Sequence, residues 1–250
     1  MSASLRSRLK RGDLLIGTLV TLTSLESAEV LAEVGFDWLF VDLEHSLLGI
    51  REAQAIFQTV SHKIDCIVRV PLNDEIWIKK VLDSGAAGVL VPQVNTIEQA
   101  RQIVRFSKYP PLGRRSVGVM RANGYNLPTT EYLEHANAET AVIIQVESFS
   151  AVENIHEIVA VDGIDAVFVG PYDLSASMGK TGEFDDPSVK AALESIRQAC
   201  LTGGMPLGIF AATVDRAKAY IGEGFRLIAV SEDLLLMAQA AREVARALKD

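Results

Sequence analysis

At 250 residues, 49% of them hydrophobic, the chain can bury a large core, and its length allows one or two domains or a single barrel. Its 24 Lys and Arg are dispersed among 32 Asp and Glu, for a net charge of −8, which excludes a nucleic-acid backbone as partner. No run reaches the roughly eighteen apolar residues of a membrane span, and the opening MSASLRSRLKRGD has no apolar core behind its basic start, so a cytoplasmic protein without a membrane partner is expected.

In chain order, residues 2–10 suit a short amphipathic lead-in helix, with Leu5 and Leu9 at i, i+4, lying as a lid over one end of the fold. A strand over 14–22, a helix over 24–34 capped by Ser24 and stopped by Gly35, and a strand over 36–43 follow. Next come a helix over 50–61, a strand over 66–70, a helix over 75–83 closing on Gly85, and a strand over 88–91 stopped by Pro92. After a helix over 96–106, the stretch from Tyr109 to Asn126, with YPPLGRRSVG, has no periodicity. It is expected to be a functional loop carrying Arg114, Arg115 and Arg121. An extra helix over 129–138 precedes two apolar strands, 141–146 and 165–169, joined by one helix-length crossover. Helices over 188–202, 214–221 and 231–248 then alternate with strands over 206–210 and 225–230.

Eight strands alternating with helices, without a Pro/Gly/Ser-rich linker, argue for one closed (β/α)8 barrel across residues 1–250. An open doubly wound sheet would call for G-x-G-x-x-G after the first strand, where the sequence reads GTLVTL. Cys66 and Cys200 are isolated and read as small core residues.

In such a barrel, chemistry gathers at the carboxyl ends of the strands. Glu147 and Asp173 follow adjacent strands and outline a site for a hard divalent ion; a helix cap at Asp173 and a solvated strand end at Glu147 explain them equally well. Asp42, Glu44 and His45 end the second strand. His45 is a candidate acid/base, while Asp42 and Glu44, on the opposite face by period two, could hold metal waters or simply solvate the strand end. Arg69 inside CIVRVP needs an anion, either a protein carboxylate or the substrate. Strands seven and eight end blandly in Ile209-Phe210 and Val230-Ser231. No lysine stands at an apolar strand end to form a Schiff base, so carbonyl chemistry would have to be metal-assisted.

Taken together, VDLEHS, VRVP, VLDSGAAGVLVPQV, YPPLGRRSVG, QVES and FVGPYDLSASMG resemble the metal-dependent, class II pyruvate aldolases of the 4-hydroxy-2-oxoheptanedioate aldolase (HpcH/HpaI) family, from about Gly12 to the last helix. The resemblance implies reversible aldol cleavage of a 4-hydroxy-2-oxo acid to pyruvate, or a related acid such as hydroxypyruvate, and an aldehyde, with Mg²⁺, Mn²⁺ or Co²⁺. It makes Glu147 and Asp173 the metal ligands, His45 the acid/base residue with Asp83 as its carboxylate partner, and Arg69 the cation facing the enolate. Gln145 and the backbone around Tyr172 and Asp173 would bind substrate; Tyr172 departs from the Ala or Ser of the family pattern. A homohexamer with exchanged C-terminal helices is implied as well. Two rival readings are a citramalyl- or malyl-CoA type lyase, which would want a basic site for the CoA phosphates, and a non-catalytic binding barrel.

Overall fold

The structure, a computed structural model, describes residues 3–127 and 129–249; Ser2, at the start of the expected lead-in helix, and both ends of the expected 1–250 domain lie outside them. The elements are α1 (Leu5–Lys10), β1 (Leu15–Val20), α2 (Leu25–Glu33), β2 (Trp38–Asp42), α3 (Ile50–Val60), β3 (Asp65–Arg69), α4 (Glu75–Asp83), β4 (Gly88–Val91) and α5 (Ile97–Ser107). They continue through α6 (Thr130–Glu139), β5 (Ala141–Val146), α7 (Phe149–Glu153), α8 (Ile155–Val159), β6 (Ala166–Val169) and α9 (Pro171–Ser177). The last are α10 (Pro187–Gly203), β7 (Leu207–Ala211), α11 (Val214–Gly222), β8 (Leu227–Glu232) and α12 (Asp233–Ala247). All eight strands pair in parallel and β8 returns to β1, so the sheet is the closed (β/α)8 barrel expected from the alternation. The single crossover expected between β5 and β6 is instead two short helices meeting at Asn154, which caps α7 and starts α8.

The strands are apolar on both faces because both are covered. Outward residues such as Val41, Val68 and Val167 meet the helices in the larger cluster, while Trp38, Phe40, Ile67, Ile143 and Phe168 fill the interior. Phe40 is the hub there, stacked on Trp38 (ring centroids 5.7 Å apart) and edge-on to Phe168 (5.5 Å). These rings fit because the neighbouring strands supply glycine in register with them: a Cβ on Gly17 would fall 2.6 Å from the Trp38 ring, and one on Gly208 would fall 2.7 Å from Phe168.

Helix α1 plugs the amino-terminal end, as its Leu5–Leu9 pair suggested. Both leucines are buried in the interior cluster, the Leu5 N–H donates to Asp65 (3.0 Å), and Arg6 pairs with buried Asp165 (2.8 Å). Cys66 and Cys200 are free and buried, as read. The interior is therefore closed below and filled midway, leaving the carboxyl-terminal mouth open. Overpacking that fill should be felt: Gly17→Ala is expected to destabilise by about 1–3 kcal/mol. Gly222→Ala, where a Cβ meets nothing within 4 Å, serves as the control that unfolding curves should show near wild type.

Candidate active site

The period-two alternation that fills the barrel also builds its upper layer. Trp38 and Phe40 point inward and Asp42 is next in phase; Ile67 is followed by Arg69, and Ile143 by Gln145. Because Asp42 and Arg69 are register partners on β2 and β3, their side chains meet: Arg69 donates from Nε to Oδ1 (2.8 Å) and from Nη2 to Oδ2 (2.7 Å). The guanidinium lies 5.3 Å from the Phe40 ring centre. Nη1 has no hydrogen-bond partner among the described residues, and Arg69 lines the cleft. Of the two anions open to Arg69 from sequence, a protein carboxylate is the one in place.

Asp42 also accepts from the backbone N–H groups of Glu44 (3.0 Å) and His45 (3.3 Å), so it folds the segment after β2 into a turn. Strand β2 ends at Asp42, hence the alternation that set Asp42 and Glu44 on one face against His45 does not extend that far. Burial pushes the Asp42 carboxyl up, but Arg69 and the Glu44 amide outweigh it and hold it below the ordinary carboxylate range. Glu44 sits 3.3 Å from Arg69 Nε and 3.6 Å from His45 Nε2, and burial leaves its carboxyl above the ordinary range. The His45 side chain, 65% exposed, stands at the rim of the cleft.

Across the mouth, Glu147 follows β5 and is buried. Its Oε1 accepts the Gln93 N–H (2.7 Å) and its Oε2 accepts from Gln145 Nε2. Gln93 makes that bond from a left-handed conformation (φ 57°), backbone strain placed at the site. The opposite wall is Gly170, where a Cβ would fall 2.9 Å from Glu147 Oε2 and 3.0 Å from Gln145 Nε2, so only glycine lets β6 approach. Pro171 then opens α9, and Asp173 in its first turn lines the same space as Glu147. Burial raises the Glu147 carboxyl, Gln145 and Gln93 pull it back, and the Asp173 charge raises it again, for a net shift above the ordinary range. No group of three or more His, Cys, Asp or Glu able to hold a metal occurs among the described residues. Two oxygen donors that repel each other, beside the partnerless buried Gln145 Oε1, nonetheless fit a hard divalent ion whose remaining positions go to water or substrate.

His45, Arg69, Gln145, Tyr172 and Asp173 thus line one cleft of about 220 Å³, and Glu147 joins His45 and Asp173 in the adjoining hollow. Asp83 does not join them. It ends α4, at the amino-terminal side of the barrel, and its Oδ1 accepts from Arg115 (2.6 Å). The carboxylate expected beside His45 is therefore absent from that place within one chain, because α4 runs antiparallel to the strands and ends away from the mouth. The 109–126 loop likewise covers the lower flank and not its own cleft. Arg114 pairs with Glu75 (2.8 Å), Arg115 with Asp83, and Arg121 donates to Ser61 (2.6 Å) and the Phe57 carbonyl (3.1 Å).

Sequence reasoning missed Gln93, which holds Glu147, and three residues on the far side of the cleft: Thr21, Phe210 and Glu232. Phe210 stood in the sequence at a strand end. Glu232 was hidden, because strand β8 runs to Glu232 and not to Val230. The register against β1 passes from Gly17↔Ala229 to Leu19↔Glu232, one extra residue on β8, with Ser231 at φ 59°. That bulge shifts the alternation by one and turns Glu232 inward.

A model of the family described as HpcH/HpaI aldolase/citrate lyase matches residues 16–240. A hydroxypyruvate/pyruvate aldolase from Deinococcus radiodurans is 40% identical over 253 residues, covering 100% of this chain and 91% of the relative. A 4-hydroxy-2-oxo-heptane-1,7-dioate aldolase from Escherichia coli is 39% identical, covering 98% of this chain and 94% of its own length. The crystal structure of an HpcH/HpaI aldolase/citrate lyase family protein from Burkholderia cenocepacia superposes with a TM-score of 0.95 at 34% identity, covering 98% of this chain and 99% of the other. With the family model matching residues 16–240 and relatives about 40% identical over nearly the whole chain, the chain belongs to the HpcH/HpaI aldolase/citrate lyase family.

Proposed function

We propose that this carbon–carbon lyase reversibly cleaves a 4-hydroxy-2-oxo acid into pyruvate, or hydroxypyruvate, and an aldehyde, with a divalent ion held by Glu147 and Asp173. The carrying observation is the pair of carboxylates in one hollow, Glu147 against Gly170 and Asp173 in the first turn of α9, beside a cleft that Arg69 lines. The relatives named for hydroxypyruvate, pyruvate and a hydroxy-oxo dioate share the 2-oxo acid, which supports it as the common element. An ion of the Mg²⁺, Mn²⁺ or Co²⁺ class would supply the Lewis acidity that polarises the 2-oxo group.

The chain's own residues do the rest. The Tyr172 and Asp173 amides, in the first turn of α9 beyond a Gly170 cap without a side chain, face the acid's carboxylate. His45 takes the proton of the C4 hydroxyl as the C3–C4 bond opens. The electron pair of that bond passes to C3 and on to the 2-oxo oxygen, where Arg69 Nη1 meets the developing charge. Gln145 fixes Glu147 and leaves Oε1 for substrate. Return of a proton to C3 releases the 2-oxo acid, and His45 at the rim exchanges protons with water.

Asp83 is proposed to reach His45 from a neighbouring copy. Beside it the 109–126 loop exposes Val117 (52%), Val119 (49%) and Met120 (41%), and α12 exposes Leu234 and Met237, apolar surface that suits a homo-oligomer, a hexamer by resemblance. Arg69, already paired with Asp42, is the one Lys or Arg lining the cleft or the adjoining hollow among the described residues, which leaves no further cation for CoA phosphates and disfavours the CoA-lyase alternative. No helix among the described residues is long and apolar enough to cross a membrane, which with the two free cysteines suits the cytoplasm.

Two sets of measurements test this reading, the first on the metal. Chelation should abolish turnover and added Mg²⁺, Mn²⁺ or Co²⁺ restore it. Asp173→Asn should lose the metal-dependent rise in melting temperature yet melt slightly higher than wild type without metal, because the Glu147–Asp173 repulsion is gone; a variant that keeps the metal response sinks the ligand assignment. Second, His45→Ala is expected to lower kcat by roughly 10²- to 10⁴-fold, and Asp83→Asn to slow turnover. Mixing the two variants should recover activity, since mixed oligomers contain sites with both native groups, whereas sites built from one chain would show no recovery.

A further inference from the structure

The two ends of the cleft differ in chemistry. Glu147 and Asp173, with the first turn of α9, stand over β5 and β6; Phe210 stands over the next strand, β7, and Glu232 and Thr21 lie further round the closed barrel over β8 and β1. A substrate whose 2-oxo acid lies over β5 and β6 extends its aldehyde portion toward Glu232. That residue is half-buried and lines the cleft. It occupies the N-cap position of α12 without a side-chain cap bond, and among the described residues no ion pair or hydrogen bond engages its carboxylate. The Thr21 hydroxyl donates to Asp233 (2.6 Å) and so presents its oxygen as an acceptor. Arg69 is the one Lys or Arg lining the cleft or the adjoining hollow among the described residues, and it is bonded twice to Asp42 and sits 3.3 Å from Glu44. The far end is thus acceptor-rich, negatively charged and without a counter-ion.

We propose that Glu232 sets the selectivity for the aldehyde: the cleft takes uncharged acceptors with hydrogen-bond donors and turns away aldehydes that carry their own carboxylate. The inference rests on the aldolase reading above and adds the class of aldehyde. Selection comes from placing a like charge against the wrong partner, and Glu232 is free to do so because no other group consumes its charge.

The test compares 4-oxobutanoate with its amide as acceptors for pyruvate, using the metal-loaded enzyme; the two differ in charge at nearly constant shape. Wild type is expected to favour the amide by about tenfold in kcat/KM, a like-charge effect of ordinary size at this distance, and added salt should narrow the gap. Glu232→Gln should shrink the ratio by about fivefold or more, and Glu232→Arg should invert it. Glu232→Ser gives a second neutral variant should Gln disturb the start of α12. A ratio in the neutral variants within twofold of wild type, or a wild-type preference for 4-oxobutanoate, overturns the assignment. Exchange of the pyruvate methyl protons in D₂O, which needs no aldehyde, separates the two layers. If wild type fails that exchange, the aldolase reading falls and this inference with it. If exchange proceeds while the ratio stays unmoved, the inference about Glu232 falls alone.

Discussion

A guanidinium held against an aromatic ring inside a barrel requires a carboxylate in register with it, and the Arg69–Asp42 pair is the contact on which the mouth of this barrel depends. Breaking such a buried pair by removing one partner costs about 3–5 kcal/mol, mostly because the charge left behind is unpaired. The pair does more than satisfy itself. Asp42 accepts the amides of Glu44 and His45 with the same two oxygens that hold Arg69, so one carboxylate fixes both the cation of the site and the turn that carries its proposed acid/base residue. The sign of its titration agrees: a carboxyl held below its unfolded value stabilises the fold above the ordinary Asp range and loses that contribution as pH falls through its folded value.

The other half of the mouth has the opposite sign. Glu147 and Glu44 are raised by burial and by like charges, so their contribution to stability is present below the ordinary Glu range and lost as pH rises through their folded values. The charged forms of these carboxylates are therefore held by the fold at a cost, together with the left-handed Gln93 whose N–H steadies Glu147. A bound cation offsets that cost, which is how a site selects for its ion through stability as well as geometry. The Arg–Asp pair is built to stand alone, and the Glu147–Asp173 pair is not.

Much of this was legible in the sequence, because βα alternation and strand-end chemistry are local signals. Strand β4 and helix α4 have the boundaries that sequence assigned them, and Glu147 and Asp173 come together because parallel neighbours bring their carboxyl ends to one edge. What stayed hidden required three dimensions. The choice of Asp42 as the partner of Arg69 depends on interstrand register, which no single strand contains. Glu232 depends on a bulge, and the sequence AVSED does not announce where alternation breaks. The place of Asp83 was hidden for a plainer reason: a resemblance pairs it with His45 but carries no information about which chain supplies it, whereas helix polarity sends it to the far end of its own barrel.

That polarity also bears on how the carbonyl is activated. Buried Lys108 has an amine lowered to about 8 by burial, the kind of perturbation that suits Schiff-base chemistry. Its Nζ, however, donates to the carbonyls of Asn137 (2.9 Å) and Thr140 (2.6 Å) and lies 3.9 Å from Asp165, all just before β5 and β6 begin. Conserving the hydrogen bonds at the closed end is what Lys108 does there; it ties α5 to the start of β5, beside the Arg6–Asp165 pair that seats the α1 plug. The barrel thus has its amine at the end where no substrate enters and its paired carboxylates at the end that is open. A perturbed lysine is a mechanistic signal only when the fold delivers it to the mouth, and here the fold delivers carboxylates instead.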